Sequence, residues 1–363
     1  MTTGKGLDFK NWATAPPSWI TSSGTTLDGT VLASRVRIAR NLTSFPYPHN
    51  SPISTQKQIL QTVIPVLVNT SILKKSISLQ LAPLTLLDRT FLMERQLISH
   101  QHAYTDGAKG LVVSSGESLS VMINEEDHIR AASFYPGFGI TEAWENLSKL
   151  DDEMNQHLPI SYHQEFGFLT AWPTNTGTGL RASCLLHLPG LILTRQISPA
   201  IQNLDEMGLT IRGFYGEGTS AVGDLLQVSN AKTLGITELD LIKKVEKVVK
   251  NLHRLENLAM DELLSSQKRG QLEDQIYRSL GTLKSARLLN YNEAMQHLSM
   301  VRLGIKLGLK LDIEASKITN LFFLSQSAHV WIGRNQEGDI KTSKEVSFRA
   351  DFMRSFFDKN SHH

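Results

Sequence analysis

Apolar and polar residues partly alternate in several short stretches of the first two thirds of the chain. Residues 110–115, 118–124 and 165–171 show this alternation and are bounded by glycine, asparagine or proline, a pattern typical of strands in an antiparallel sheet. Residues 140–155 and 200–207 instead carry apolar side chains at roughly helical spacing. Because strands and helices mix without a regular alternation, the pattern predicts an α+β fold.

From residue 237 onward the pattern becomes helical, and strand-like stretches are scarce. Thr237 and Asp240 predict the capped start of a helix. An apolar stripe at helical spacing follows, formed by Leu241, Val245, Val248, Leu252, Leu255 and Leu258. Further helical patterns occupy residues 271–289, 292–309 and 314–323. The sequence therefore predicts a helical C-terminal region.

Together with the length of the chain, this change of pattern predicts two domains. The 363 residues, of which 40% are hydrophobic, suffice to bury a substantial core. An apolar helix face can pair with a second copy of the chain, but packing within one chain explains the stripe equally well. A homodimer is therefore one of two open interpretations of the helical region.

The bulk composition excludes several classes of function. Lys and Arg number 37 against 35 Asp and Glu, a net charge of +2, so no global charge attracts nucleic acid or a membrane surface. The single cysteine, Cys184, excludes an internal disulfide and a multi-cysteine zinc site. No run approaches the ~20 apolar residues that cross a bilayer, and the N-terminus lacks a signal-peptide core. We expect a cytoplasmic protein without nucleic-acid or membrane partners.

Three consecutive carboxylates, Glu125, Glu126 and Asp127, follow the apolar stretch 119–123 and precede Arg130. Such crowding of negative charge costs energy unless cations lie opposite. The alternative is a solvated acidic turn, which this segment alone does not exclude.

Two glycine-containing segments each carry one arginine. Residues 173–183 form a glycine-threonine loop that ends in Arg181 and leads into a predicted helix, and backbone N–H groups of such a loop can bind phosphate. Residues 211–218 place glycines around Arg212 and Glu217, although a tight turn explains them as well. Neither segment matches the P-loop or the dinucleotide-binding pattern. Together with Arg35, Arg37 and Arg130, they supply what MgATP and a cationic acceptor require.

Five segments resemble motifs of the phosphagen (ATP:guanido) kinases and occur in the order of that family. They are Ser34-Arg35-Val36-Arg37, Asn-Glu-Glu-Asp-His-x-Arg at 124–130, Pro-Thr-Asn-x-Gly-Thr-Gly-Leu-Arg-Ala-Ser at 173–183, Arg-Gly-x-x-Gly-Glu at 212–217 and Val-Ser-Asn-x-x-Thr-Leu-Gly at 228–235. The resemblance covers roughly residues 30 to 256. It implies a catalytic domain over residues 1–256, with an antiparallel sheet flanked by helices, followed by a helical domain over residues 257–363.

Within that family the chain is most similar to the bacterial protein-arginine kinases of the McsB type. Only 34 residues precede Arg35, whereas creatine and arginine kinases carry a further helical domain there, so we expect an open site. The helical extension after residue 256 is also similar to that type, in which it supports dimerisation.

The resemblance implies a role for each motif residue. The acceptor guanidinium would lie between Glu126 and Glu217, with Glu126 as general base, and Asp127 would hold Mg²⁺ through water. The ATP phosphates would be bound by Ser34, Arg35, Arg37, Arg130, Arg181, Ala182, Ser183, Arg212 and Gly213. The implied reaction transfers the γ-phosphate of ATP to arginine side chains of proteins.

The same resemblance implies partners. They are protein substrates with accessible arginines, a zinc-containing activator protein and a AAA+ unfoldase-protease. Phosphorylation of arginine would mark the substrates for degradation.

The sequence departs from the family at three places. Trp172 stands where these kinases usually have a cysteine near the acceptor, and it either crowds the guanidinium or offers it a cation–π face. Gln96 replaces a histidine near the adenine. Arg349 and Ala350 fit the phosphoarginine-binding motif of the McsB type, but Glu345-Val346 replaces its Arg-Asp pair.

These departures leave two alternatives to the protein-arginine kinase. The first is an inactive pseudokinase that acts as an adaptor in protein quality control. The second is a kinase for a small guanidino metabolite, which the short N-terminal segment disfavours.

Overall fold

The computed structural model describes residues 9–21, 27–202, 204–213, 221–265, 267 and 269–360. An eight-stranded antiparallel sheet, in the order β2-β3-β4-β5-β1-β8-β10-β9, is its central element. A separate two-stranded sheet pairs β6 with β7. The strands are β1 (Val31–Arg40), β2 (Ser76–Gln80), β3 (Gly110–Ser114), β4 (Leu119–Ile123), β5 (Ile129–Pro136), β6 (Tyr162–His163), β7 (Gly167–Phe168), β8 (Leu180–His187), β9 (Leu209–Gly213) and β10 (Leu225–Asn230).

Helices surround the sheet and make up most of the C-terminal region. They are α1 (Phe9–Thr14), α2 (Ser18–Thr21), α3 (Ile53–Asn69), α4 (Leu86–Glu94), α5 (His100–Tyr104), α6 (Ile140–His157), α7 (Pro189–Leu193), α8 (Ile197–Ile201), α9 (Glu238–Ser265), α10 (Arg269–Ser285), α11 (Tyr291–Lys306), α12 (Ala315–Leu324), α13 (Ser327–Gly333) and α14 (Thr342–Asn360). The α+β prediction is confirmed. None of the helices in the described ranges is long and apolar enough to span a bilayer.

One face of the sheet is the main hydrophobic core. Alternate residues of the central strands, among them Val36 and Ile38 of β1, are fully buried there. Helices α3, α6 and α9 cover this face with their apolar sides. The helical spacing predicted for residues 140–155 is confirmed by α6, whose Leu147 and Leu150 are completely buried.

The opposite face is covered only at its margins. On one side, α4 and α5 pack over Leu111, Val113 and Met122. On another, Ala33, Phe134 and Leu185 are buried in a second core that they share with helices α10, α11, α12 and α14. Between these two covers the sheet face stays open, which positions the cleft described below.

Helix α9 joins the strand-containing part of the chain to the C-terminal helices without a break. Helix α9 begins after Thr237, whose hydroxyl accepts the N–H of Asp240 at 3.2 Å, which confirms the predicted cap. It continues without a break to Ser265, so the predicted boundary at 256/257 falls inside a helix. The division into two domains therefore stays a prediction.

Three local predictions are wrong. The loop 173–179 leads into strand β8 and not into a helix, since β8 pairs with β1 on one side and with β10 on the other. Predicted helix 200–207 is short, since α8 ends at Ile201 and turns follow. The predicted strand 165–171 is reduced to Gly167–Phe168.

Candidate active site

The open sheet face forms a cleft of about 670 Å³ lined by five arginines. Arg35 and Arg37 are two residues apart on β1, and Arg37 lies directly opposite Arg181 on β8. Because paired residues and alternate residues of an antiparallel sheet share a face, these three guanidinium groups point the same way. Arg130 on β5 pairs with Ala39, and Arg212 on β9 pairs with Gln227. The register of the sheet thus concentrates the positive charge of four strands on one surface.

The arginines repel one another and are partly desolvated. Burial, followed by the charges of Arg130 and Arg181, lowers the pKa of Arg35 to about 10. Burial and the neighbouring arginines also lower the pKa of Arg37 well below its usual value. The Nε atoms of Arg35 and Arg37 are buried and have no hydrogen-bond partner among the described residues. Such a cluster is stabilised by a polyanion, and phosphate groups match its donors.

The three consecutive carboxylates, Glu125, Glu126 and Asp127, which we call the acidic box, lie in a tight turn at the end of β4. Asn124 adopts a left-handed φ of 61°, and its N–H donates to the carbonyl of His128 at 3.0 Å. Arg130 lies 2.7 Å from Glu125 and 3.2 Å from Glu126. The solvated-turn alternative is excluded, because Glu125 is buried and Glu126 lines the cleft.

The two glutamates of the box have opposite protonation tendencies. Burial raises the pKa of Glu125, but Arg130, the Ser99 hydroxyl and the Glu126 N–H outweigh it and bring the pKa down to about 2. Burial raises the pKa of Glu126 above its usual value, and the charges of Glu125 and Asp127 add to that effect. Glu125 therefore stays ionised and holds Arg130 by its negative charge. Glu126, with its raised pKa, can exchange a proton nearer neutral pH.

Asp127 is fixed by the loop before Trp172. Its Oδ1 accepts the Asn41 amide at 2.6 Å and the Ala171 N–H at 2.7 Å. Its Oδ2 is buried and has no partner within the described residues. A carboxylate oxygen in this state fits an ordered water or a hydrated cation. In the part of the chain that the structure describes, no three acidic or histidine side chains converge as a metal site, so a Mg²⁺ ion here would need phosphate and water ligands.

Four N–H groups of the glycine-threonine loop are bonded within the protein. They donate to backbone carbonyls: Asn175 to Trp172, Thr176 to Pro173, Gly177 to Phe168 and Thr178 to Thr233. Gly177 has a φ of 115°, and a Cβ there would lie 2.3 Å from the Thr233 carbonyl oxygen, so the close approach requires glycine. Phosphate binding by the backbone of this loop stays a prediction, whereas Arg181 after the loop lines the cleft.

Gln96 and Trp172 line the same cleft. Gln96 adopts a left-handed φ of 62° directly after α4, and its Oε1 accepts Arg35 Nη1 at 3.2 Å. Trp172 is 52% exposed and stacks on His49 with ring centroids 6.4 Å apart. In place of the usual histidine, Gln96 therefore orients Arg35. In place of the usual cysteine, Trp172 presents an exposed indole to solvent.

Comparison with known proteins agrees with this geometry. Residues 58–259 match the family model of the ATP:guanido phosphotransferase C-terminal catalytic domain. The chain belongs to the ATP:guanido phosphotransferase family. Residues 269–363 match a second model, the protein-arginine kinase McsB C-terminal domain, which confirms the predicted McsB-type resemblance. Membership of the ATP:guanido phosphotransferases makes the chain an ATP-dependent phosphotransferase.

Similar proteins cover nearly the whole chain. The protein-arginine kinase of Desulforamulus reducens is 38% identical over 352 residues, 96% of this chain and 98% of the relative. That of Halalkalibacterium halodurans is 40% identical, over 85% of this chain and 86% of the relative. Among solved structures, the duplicated taurocyamine kinase of Schistosoma mansoni has a TM-score of 0.60 at 24% identity, covering 71% of this chain and 38% of that one. Lombricine kinase has a TM-score of 0.57 at 24% identity, covering 67% and 71%.

The fold brings together most of the residues that the phosphotransferase motifs suggested. Arg35, Arg37, Arg130, Arg181, Arg212, Glu126 and Trp172 line one cleft. Ser183 faces the same side, where its hydroxyl accepts Gln227 Nε2 at 2.8 Å. Glu217 lies outside the described residues. Glu125 and Asn41 were not assigned a role from the sequence, although the adjacent acidic residues already marked Glu125 as unusual.

Ser34, Ala182 and Gly213 do not line the cleft, because they are buried and lie on the other face of the sheet. Contact of these three residues with ATP stays a prediction. Ser34 instead donates to the Gly137 carbonyl at 2.8 Å. Arg349 is fully buried in the helical region.

The Arg349 guanidinium is used within the protein. It donates to the carbonyls of Ser325 at 2.7 Å and Leu289 at 3.1 Å, and it pairs with Glu345. A phosphoarginine ligand would have to displace these contacts, so the structure gives no support for its binding at Arg349.

Proposed function

We propose that this chain is a protein-arginine kinase that transfers the γ-phosphoryl group of ATP to arginine side chains of proteins. The carrying observation is that five mutually repelling arginines and Glu126 line one open cleft. That arrangement suits a polyphosphate at one end and a cationic acceptor at the other. The protein-arginine kinases that resemble this chain over most of its length support the same acceptor.

The arginines would act by electrostatic stabilisation. Charge on the transferring phosphoryl group is spread over its oxygens, and donors aimed at them lower the barrier without rearranging. Arg35 and Arg37 line the cleft, so their guanidinium groups suit this role. Arg130 is held in position by Glu125, so its donors would not need to reorganise when phosphate arrives.

Glu126 would serve as general base. A guanidinium has a pKa above ~12 and becomes a nucleophile only when a proton leaves. The raised pKa of Glu126, caused mainly by burial, makes this carboxylate a better proton acceptor than an ordinary glutamate. We assign the opposite side of the guanidinium to Glu217 from the family motif.

We propose Mg²⁺ as the metal, held by ATP phosphates and by water that contacts Asp127 Oδ2. When bound, the ion would supply neutralisation of phosphate charge. The buried, unpartnered Oδ2 atom supports this assignment.

The cellular setting follows from the resemblance to the McsB type and is proposed on that ground. The chain would act in the cytoplasm as a homodimer through the helical region, with a zinc-containing activator protein and a AAA+ unfoldase-protease as partners. Arginine phosphorylation would mark client proteins for degradation.

The decisive experiment incubates the purified protein with MgATP and an unfolded, arginine-rich protein, with free arginine in a parallel reaction. Mass spectrometry at neutral pH should detect phosphate on arginine side chains of the protein and not on free arginine. Product on free arginine alone would favour a metabolite kinase. Nucleotide binding without either product would favour the adaptor.

A matched variant tests the assignment of the base. Glu126→Gln should keep the fold and bind ATP but lose about 10²- to 10⁴-fold in turnover. Circular dichroism and ATP titration serve as controls for folding and binding. Wild-type turnover in this variant would contradict the role of Glu126.

A further inference from the structure

Three aromatic side chains form a stack at the wall of the cleft. Trp172 stacks on His49 at 6.4 Å and 23°, and His49 stacks on Tyr47 at 6.1 Å and 9°. We call these three residues the aromatic shelf. Trp172 remains 52% exposed, although a large aromatic side chain gains most when it is covered.

The backbone holds the shelf beside the acidic box. The Ala171 N–H is bonded to Asp127 Oδ1 at 2.7 Å, and the Trp172 carbonyl accepts the Thr170 hydroxyl at 2.7 Å. Trp172 and Glu126 both line the cleft, and the bond between Ala171 and Asp127 joins the residues next to them in the chain. An indole face next to a carboxylate is a combination that favours a planar cation.

We propose that Trp172 stacks on the guanidinium of the arginine that is to be phosphorylated, and that His49 fixes the indole plane. The inference rests on the proposed function, because it assigns a part of the acceptor site. Stacking uses the face of the guanidinium and leaves its in-plane N–H groups free to bond to Glu126. A lysine ammonium is also attracted to an aromatic face, but it has no plane to stack, so the shelf favours arginine over lysine. Trp172 is a specificity-determining residue on this view, and not an obstruction.

The kinetic test uses a peptide with a single arginine as acceptor. Trp172→Leu should raise its KM about two- to fivefold, the range expected for an exposed cation–π contact, while the KM for ATP stays the same. Trp172→Phe should retain most of the affinity. Tyr277→Leu, which removes an aromatic residue of 50% exposure on α10, is the matched control and should change neither KM. An unchanged or lower acceptor KM in Trp172→Leu would overturn the proposal.

A second measurement does not depend on turnover. Titrating the arginine peptide into the protein without ATP should change the tryptophan fluorescence, and Trp172→Phe should abolish the change although the other four tryptophans remain. A change that persists in Trp172→Phe would place the peptide elsewhere and overturn the stacking. Fluorotryptophan incorporation should weaken peptide binding in the unaltered protein but not in Trp172→Phe. If the unaltered protein forms no phosphoarginine, the proposed function fails, whereas these binding results report on the shelf separately.

Discussion

Glu126 is partly exposed and partly desolvated, and its burial and charged neighbours set the pKa of its carboxyl group. Its side chain is 24% exposed, and burial together with Glu125 and Asp127 raises its pKa. The unprotonated form, which the reaction needs, is lost as pH falls through this raised pKa. The acidic limb of kcat/KM should therefore lie above the pH at which an ordinary glutamate titrates.

Glu125→Gln should shift that limb. Glu125 is one of the charges that raise the pKa of Glu126, so its removal lets Arg130 lower the pKa of Glu126 further. We predict that the acidic limb of the kcat/KM profile moves to lower pH. Ser99→Ala, which removes a hydrogen bond to Glu125 but no charge, should leave the limb in place. A limb that moves to higher pH in Glu125→Gln would contradict the electrostatic account.

At the scale of elements, α4 and α13 meet through a buried polar cluster. The Glu94 carboxylate accepts the N–H groups of Ala328 at 2.8 Å and His329 at 3.1 Å, and the His329 ring lies 2.8 Å away. Burial lowers the pKa of His329, so the neutral ring donates to Glu94 at neutral pH. This cluster connects the helical region to the segment that carries Gln96 and thereby Arg35.

Removing Glu94 should weaken that junction. Glu94→Ala leaves the buried donors of α13 without an acceptor, and each such donor costs about 1–3 kcal/mol. We predict that the free energy of unfolding falls by roughly 3 kcal/mol, measured by urea denaturation. Glu337→Ala, at an exposed position, should change it by less than about 0.5 kcal/mol. Equal stability of the two variants would show that the cluster does not hold the junction.

The predictability of each element from sequence followed its local pattern. Strands β3 and β4 and helix α6 alternate or repeat clearly, and all three were predicted. β8 was not, although Leu180, Ala182 and Cys184 alternate with Arg181 and Ser183, because a glycine loop that binds phosphate commonly precedes a helix. The partner of the Gly177 N–H group, the Phe168 carbonyl, could not be predicted, because it is fixed by a chain crossing that no local motif encodes.

The site divided in the same way. Motif order indicated the arginines, but Ser34 and Arg35 are neighbours in the motif and opposite in the sheet, since adjacent strand residues alternate between faces. The aromatic shelf joins Tyr47 and His49 to Trp172 across more than a hundred residues, so its geometry could be found only in the folded chain.

On the scale of the whole molecule, a net charge of +2 conceals a strongly uneven distribution. The folded protein brings five arginines into one cleft, where burial, followed by the charges of Arg35, Arg130 and Arg181, lowers the pKa of Arg37 well below its usual value. A cation with a lowered pKa destabilises the fold at neutral pH. Without a bound anion, the arginine cluster therefore lowers the free energy of unfolding of the protein.

Arg37→Met should expose this relation. We predict that the variant unfolds at higher temperature than the wild type without nucleotide, by the equivalent of roughly 1–2 kcal/mol, and that ATP no longer raises its melting temperature. Differential scanning calorimetry with and without ATP measures both effects. Arg278→Met, on the exposed surface of α10 and outside the cleft, should leave the ATP response intact. A lower melting temperature of Arg37→Met without nucleotide would contradict the claim that the buried charge of Arg37 destabilises the unliganded protein.

The sheet register limits which insertions and deletions the chain can accept over evolutionary time. In β1, Arg35 and Arg37 face the cleft while Val36 and Ile38 face the core. One inserted residue in the middle of this strand would turn every later side chain to the opposite face. Charge would enter the core and apolar side chains would enter the cleft in a single event. Length changes should therefore accumulate in surface connections such as the β6–β7 turn, and strands that carry the arginines should keep their length wherever the activity is retained.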